Sequence, residues 1–438
     1  MPQRRHGSYG IEAFRSGVGM LPCRPQPERF PVSSPTAPSP DPGFRRLVYP
    51  LALSVGVGFG AILYGTSVLI TSSAAGAQFS LSLLSLAFSG SVLTGAAAAV
   101  PVGRYADRHG IRAVVALGGL LVFMGFLGFA VSSSGWQVLA AWWLLIGPGS
   151  TMVLFEPAFI AMQQWFTREQ RNRAAGTLTL ITGLAGPVFI PSVSYLVEAF
   201  GWRTTAVLLG ASVLVVSGLT AGWALRAAPV PQRLEEPESA SLGGAEAQGV
   251  KRGLPAGFLL LSIAVALTMA VLEAFNVHRI ARFEAAGFDP SVVAWWAAAV
   301  GLLSLPARFL LPVLANRLDS AKLYMGLTVL IIPAVLLAVR GTEAWEMYGH
   351  FILFGLLFGA FIPLRAVIMS DWYSGATFGT LMGIQAVGIA LGRAAGPAAV
   401  GWLAETPWGY PSGMALLVLL LGLSLGLLLI AARRRTRG

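Results

Sequence analysis

The stretch Gly103-Arg104-Tyr105-Ala106-Asp107-Arg108-His109-Gly110-Ile111-Arg112 packs four Asp or Arg side chains into ten residues. Apolar runs long enough to cross a bilayer flank it on both sides. A degraded copy, Pro312-Val313-Leu314-Ala315-Asn316-Arg317-Leu318-Asp319, returns in the second half between two further apolar runs. A charged connection between spans, repeated once, predicts a membrane protein built from two similar halves, with the duplicated segments at a hinge.

Composition agrees. The chain is 55% hydrophobic and 11% charged, with a mean hydropathy of +0.71, whereas soluble domains carry about 25% charged residues. The net charge of +11 does not indicate nucleic acid, because no soluble basic domain exists to carry it. The arginines cluster in the tails and short connections, where positive charge holds loops in the cytoplasm. The single cysteine, Cys23, excludes an internal disulfide and a cysteine-based metal site.

Apolar windows predict spans near 47–72, 81–102, 113–133, 136–165, 174–199 and 203–225, then 254–284, 291–314, 323–340, 344–373, 379–404 and 409–432. The expected fold is an all-α membrane protein of twelve helices, as two six-helix bundles (44–225 and 254–432) around a central cavity. Residues 1–43, rich in Pro, Ser and Arg, read as a disordered cytoplasmic tail. Residues 226–253, with Pro229, Pro231, Glu235, Glu236, Pro237, Glu238, Gly243 and Gly244, read as a cytoplasmic linker, and 433–438 as a basic tail. Lys and Arg fall mainly on the side of both termini, which are therefore expected in the cytoplasm of a plasma-membrane protein. Trp136, Trp202, Trp345 and Trp408 fall near predicted outer ends and Trp165 and Trp372 near inner ends, as interfacial belts require.

The halves echo one another further. Trp165-Phe166 with Gly176 recurs as Trp372-Tyr373 with Gly383, and Gly186-Pro187 recurs as Gly396-Pro397. Paired six-helix repeats around a midplane cavity are a transporter architecture. Over about 45–432 the chain resembles the major facilitator superfamily, whose segment after the second helix reads Gly-x-x-x-Asp-Arg-x-Gly-x-Arg/Lys; Gly103, Asp107, Arg108, Gly110 and Arg112 match it. Ala307-Arg308-Phe309, Leu314-Ala315-Asn316 and Gly201-Trp202-Arg203 resemble its monocarboxylate and oxalate–formate branch. The fourth span reads Gly147-Pro148-Gly149 where many drug–proton antiporters carry a buried arginine, and the signature that follows the sixth helix of sugar porters is absent. The oxalate-type branch carries a lysine in its eleventh helix, and no apolar span here holds one, so Arg393 replaces it or the substrate differs.

Charges inside spans cost about 2.5–3.5 kcal/mol each at the bilayer centre on insertion scales, so they must pair or face a wet cavity. They are Glu156 in span 4, Glu273 in span 7, Arg308 in span 8, Arg365 in span 10 and Arg393 in span 11. The resemblance implies that spans 1, 2, 4, 5, 7, 8, 10 and 11 line the cavity, and all five charges fall on these. Helical spacing adds Tyr64, on a stripe with Gly56, Gly60 and Ser67; Gly149 and Gln163 beside Glu156; Asn276 beside Glu273; Gln385 beside Arg393; and Gly301, Ser304, Pro312 and Ala315 beside Arg308. Small-residue stripes serve close helix packing equally well.

Three arginines against two glutamates leave this cavity positive. A guanidinium fork matches a carboxylate, so the expected substrate is a small organic anion. It would bind at Arg308, Tyr64, Glu156, Glu273, Asn276, Arg365, Gln385 and Arg393. Arg308, matching the family's arginine in the eighth helix, either binds substrate or pairs with Glu156 or Glu273. Arg365 and Arg393 either join it or tie to Asp371 and the loops. Glu156 and Glu273 either carry a coupling proton or balance an arginine. His278 and Arg279 are expected as a satisfied interfacial pair. Gly103, Asp107, Arg108, Gly110, Arg112, Asn316 and Arg317 are expected to gate, with Asp107 accepting from a helix start or an arginine across the seam. Arg168, Arg171 and Arg173 read chiefly as positive-inside anchors. The expected activity is proton symport or anion exchange by alternating access in a monomer without cofactor or metal. Export of an amphipathic or drug-like molecule is the alternative. A signalling or scaffold protein that kept the fold fits the intramembrane charges less well, and no metal-ligand cluster, catalytic dyad or phosphate loop suggests an enzyme.

Overall fold

Lipid offers backbone groups no water to bond, so spanning segments must satisfy their amides internally as helices. The computed structural model, which describes residues 42–71, 78–227, 254–375 and 377–435, is helical throughout its spans and has no strand among them. Of the expected tail over 1–43, Pro42 and Gly43 are helical, as are Arg433–Arg435 of the expected tail over 433–438. Residues 1–41, the linker beyond Ala227 as far as Gly253, and the last three residues lie outside the described residues.

The helices are α1 (Gly43–Ile70), α2 (Ser82–His109), α3 (Arg112–Val131), α4 (Gly135–Trp165), α5 and α6 (together Arg168–Ala224), α7 (Phe258–Glu284), α8 (Pro290–Leu314), α9 (Ser320–Arg340), α10 (Ala344–Tyr373), α11 (Phe378–Ala404) and α12 (Gly409–Arg435). The 57-residue stretch Arg168–Ala224 is about twice what one crossing needs. It turns at Gly201, where φ 78° and ψ 162° lie in a region closed to side-chain-bearing residues. That turn separates α5 (168–200) from α6 (202–224) and gives twelve crossings. Arg203 secures it by donating to the Ala130 and Ser132 carbonyls at the end of α3 and to Gln78.

Two boundaries differ from expectation in an instructive way. The charged stretch 103–112 is not a loop: α2 continues through Asp107 to His109, and the reversal is confined to Gly110 (φ 75°) and Ile111. Nothing between Gly103 and His109 breaks a helix, so polarity alone did not end it. Likewise α5 begins at Arg168, before the apolar run.

The first six helices and the last six form two bundles. They meet where α2 packs on α11, and where α5 packs on α8 and α10. The hydrogen bonds and ion pairs joining them involve Asp107, Asp371, Asn172, Thr179 and Glu156. All of these lie from mid-span toward the charged connections. Beyond mid-span, Val188, Tyr195 and Phe200 on α5, Trp295 on α8 and Leu391 on α11 are exposed. The bundles are thus closed at the charged-loop end.

Four cavity-facing helices are broken near mid-span, each just ahead of a proline. α4 breaks at Leu154 before Pro157, and α5 at Leu184 before Pro187. α8 breaks at Ser304 before Pro306, and α10 at Gly359–Ala360 before Pro363. Proline has no N–H to offer the carbonyl four residues earlier and its ring crowds that turn. α1 adds a π-helical turn over Gly60–Gly65. Such breaks persist at membrane depth only where they line a cavity or are covered by protein.

Gly201→Ala is expected to lower stability by about 1–3 kcal/mol, because its surroundings are empty within 4 Å and only the backbone objects. Gly326→Ala, in a helical position equally free of neighbours, should instead raise it by about 1 kcal/mol. Denaturant unfolding in detergent distinguishes the two signs.

Candidate functional site

The closed end is held by three contacts. Asp107, at the end of α2, accepts from the Gly379 N–H at 2.6 Å, the Thr380 N–H at 2.8 Å and the Thr380 hydroxyl at 2.9 Å. These amides open α11, where helix N–H groups lack internal partners and the dipole favours an anion. The approach depends on glycine: a Cβ on Gly103 would collide with the Gly379 carbonyl, and one on Gly379 would stand 2.6 Å from the Asp107 carboxylate. At the second contact Asp371, ending α10, accepts from Arg168 (2.9 Å) and Arg171 (2.9 Å) at the start of α5. Arg168 bonds both carboxylate oxygens. The third joins Asn172 on α5 to Asn316 after α8 through their side chains, at 2.8 Å.

The expected gating set is therefore divided. Gly103, Asp107 and Asn316 bridge the bundles, and Gly110 makes the turn. Arg112 instead donates to the Ala221 carbonyl of α6, within its own bundle. Arg108 and Arg317 are exposed and enter no ion pair among the described residues. Arg168 and Arg171 do more than anchor: they close the seam. Their partner Asp371 sits 200 residues away, so sequence offered only the coincidence of arginines and an aspartate at facing helix ends.

At mid-depth the five intramembrane charges separate into two pairs and one single. Arg365 donates through Nε to Gln385 Oε1 at 2.8 Å and approaches Glu156 at 3.5 Å. This pair crosses the seam between α4 and α10, with the Arg365 side chain only 6% exposed. Arg393 and Glu273 pair at 3.0 Å between α11 and α7, more openly, at 41% and 26% side-chain exposure. Arg365 thus ties to neither Asp371 nor a loop.

Arg308 is the single. Neither Glu156 nor Glu273 reaches it, and it enters no ion pair among the described residues. Its Nε donates to Ser304 Oγ at 3.2 Å, its guanidinium carbon lies 5.8 Å from the Phe358 ring centre, and its carbonyl accepts from Thr179. The breaks in α5 and α10 make room for it: a Cβ on Gly359 would come 2.7 Å from its Cγ, and one on Gly183 3.2 Å from its Nε. Tyr64, from the π-helical turn of α1, packs its ring against Gly186 on α5.

Other expected contacts are otherwise occupied. Asn276 is exposed and accepts from Arg279 at 2.6 Å. His278 meets the Pro397 carbonyl at 2.9 Å, so His278 and Arg279 are not a mutual pair. Gly149 packs on Leu121 and Val122 of α3 rather than sharing a face with Glu156, because the break at Leu154 resets the helical register between them. Ser304 meets Arg308 as its place on the same helical stripe implied, whereas Thr179 and Phe358 were not foreseen; the prolines beside each break were the available signal.

Known proteins fit this arrangement. The family model described as Major Facilitator Superfamily matches residues 48–281 and again 254–438. The chain belongs to that superfamily. Among curated relatives, human monocarboxylate transporter 11 is 30% identical over 216 residues, 49% of this chain and 43% of that protein. Monocarboxylate transporter 13 of Bos taurus is 28% identical over 216 residues, 49% and 45% respectively. The match thus spans less than half the length of either relative. Among solved structures, the human organic anion transporter MFSD10 superposes with a TM-score of 0.67 at 19% identity, covering 89% of this chain and all of that one. The E. coli fucose:proton symporter FucP superposes at 0.66 and 12% identity, covering 89% and 98%. These likenesses establish the shared fold.

Removing the Asp107 acceptor should open the closed end. Ala175→Cys, buried on α5 and introduced with Cys23→Ser, reports it. Asp107→Asn is expected to speed maleimide labelling at position 175 about tenfold or more, the worth of one charge-assisted hydrogen bond. Unchanged labelling would remove Asp107 from the gate.

Proposed function

We propose that this chain is a secondary active transporter that moves a small, monocarboxylate-like organic anion by alternating access, coupled to a proton or a counter-anion. The observation that carries this reading is the unbalanced charge of Arg308. Among the five charges nearest mid-span, Glu156 offsets Arg365 and Glu273 offsets Arg393, leaving the Arg308 guanidinium without a carboxylate in a part-buried position between α5, α8 and α10. Arg279 and Arg282, toward the end of α7, are bonded instead to Asn276 and to backbone carbonyls. An uncompensated charge at such depth is costly, and a substrate carboxylate would relieve it with the two-pronged geometry a guanidinium prefers. The names of the curated relatives, monocarboxylate transporters, support the same class. The charge disfavours the competing reading, export of an amphipathic or drug-like molecule.

With both termini cytoplasmic, as the distribution of arginine favours, the closed end faces the cytoplasm and the molecule is outward-facing. Substrate entering from outside reaches Arg308 while Asp107 and Asp371 hold the inner seam. Rocking of the bundles breaks those contacts. The Glu156–Arg365 pair lies on the same seam and must part as the inner side opens. Protonation of Glu156 would ease that parting, which makes it the coupling residue of this mechanism. No step calls for a catalytic group or a metal.

In proteoliposomes screened by counterflow over mono- and dicarboxylates, Arg308→Ala is expected to cut uptake about 10–100-fold, the loss of a charge-assisted contact, with insertion unchanged. Arg308→Lys should retain part of it, since lysine keeps the charge but loses the fork. Undiminished uptake by Arg308→Ala would move the site elsewhere. Glu156→Gln is expected to preserve exchange while abolishing accumulation driven by an inward proton gradient. Accumulation that survives assigns coupling to another group.

A further inference from the structure

On the outer wall of the first bundle, away from the transport path, α3 and α6 splay apart at the charged-loop end. The cavity between them holds about 440 Å³ and is lined by His109, Arg112, Ala113, Ala116, Gly218, Ala221 and Gly222. Small residues in membrane helices usually let two backbones meet, and deeper along this pair they do. A Cβ on Gly119 would strike Ser217, and one on Gly210 would stand 2.9 Å from Phe126. Gly218 and Gly222 are different: an added Cβ at either meets nothing within 4 Å. Close packing of α3 on α6 therefore does not account for them, and their effect is to keep an apolar trough open.

The mouth of the trough is basic. Arg112 is exposed and held in place by its Nε, which donates to the Ala221 carbonyl at 3.1 Å within the π-helical turn Thr220–Ala224 of α6. His109 stacks on Tyr105 at 4.5 Å and engages the Tyr105 carbonyl through Nδ1, which leaves Nε2 to a partner. Arg104, Arg108 and Arg226 are exposed nearby in sequence on the same helix ends, and Arg46 lies over the exposed Trp223 ring at 5.5 Å. None of these five arginines is paired with an acidic side chain among the described residues. The nearest acid in sequence, Asp107, is committed to α11.

We propose that this trough is a binding site for an anionic phospholipid, one acyl chain lying along Ala113, Ala116, Gly218 and Gly222 and the phosphate between Arg112 and His109. An apolar slot topped by unpaired positive charge at a span end matches the two parts of such a lipid. A juxtamembrane arginine is worth about 1 kcal/mol toward an anionic surface. Because Arg112 opens α3 directly after the Gly110–Ile111 turn that ends the helix carrying Asp107, the bound headgroup also braces the gate from the lipid side.

The test uses the full chain purified in detergent, with phosphatidylglycerol and phosphatidylcholine of identical acyl chains as probes. Retained lipid is counted by native mass spectrometry. Phosphatidylglycerol is expected to be retained about fivefold over phosphatidylcholine, the equivalent of roughly 1 kcal/mol, and Arg112→Gln should erase the preference. Gly222→Phe, at a position where an added Cβ meets nothing within 4 Å, puts a ring into the trough and should reduce retention of both lipids, and Ala116→Leu on the facing wall should do the same by an independent route. Circular dichroism and a monodisperse elution profile confirm folding of each variant. Equal retention of the two lipids by the native chain overturns the proposal. So does unaltered phosphatidylglycerol retention in both filled variants, or a dimer mass that the filled variants abolish, which would make a second copy the occupant.

Discussion

Ionised groups and interrupted backbone can sit at membrane depth only where protein or a wet cavity satisfies them, and the seam between the two bundles is where this chain places both. Its four mid-span helix breaks, its two intramembrane ion pairs and its unpaired guanidinium all fall on helices that face the other bundle or the space between. The outer faces are left to apolar side chains. The architecture and the candidate site are thus two consequences of one constraint.

The same constraint links the site to the gate. The contacts across the seam form a graded series, from the Asp107 and Asp371 clusters at the closed end, through Asn172–Asn316 and Thr179–Arg308, to Glu156–Arg365 at mid-depth. Opening the charged-loop end requires breaking them together. On the proposed function, a ligand carboxylate at Arg308 would act on the helix whose backbone is tied to α5 by Thr179, so occupancy and closure would share an element. The pattern is pseudo-symmetric: the end of α2 meets the start of α11, and the end of α8 meets the start of α5. The duplicated segments therefore do equivalent jobs with unequal strength. Asp107 brings a charge to helix-start amides where Asn316 brings a neutral amide to another.

Several readings were available from residues alone because they rest on chemistry that does not need partners. Length and hydropathy gave the spans, since a helix must be about twenty residues to cross. The cost of intramembrane charge singled out Glu156, Glu273, Arg308, Arg365 and Arg393. Readings that needed a partner fared worse. For Arg365 the tie to Asp371 or a loop, one of its two readings, gives way to Glu156 and Gln385; Arg168 and Arg171 read chiefly as anchors and instead grip Asp371. Gly149 was aligned with Glu156 on the assumption of a continuous helix, which Pro157 had already ruled out.

What the sequence determined by itself is the class: twelve apolar spans in two related halves, a polar connection between them, and three arginines against two glutamates near the middle of the spans. Those follow from local composition and periodicity, which act through water, lipid and the helix's own geometry. Only the tertiary structure decided which arginine is left without a carboxylate. Pairing is set by distances between helices far apart in the chain, a few ångströms of placement separating the compensated Arg365 and Arg393 from Arg308. No pattern along one strand of sequence encodes that distance, because it depends on where helix breaks in both bundles aim the side chains.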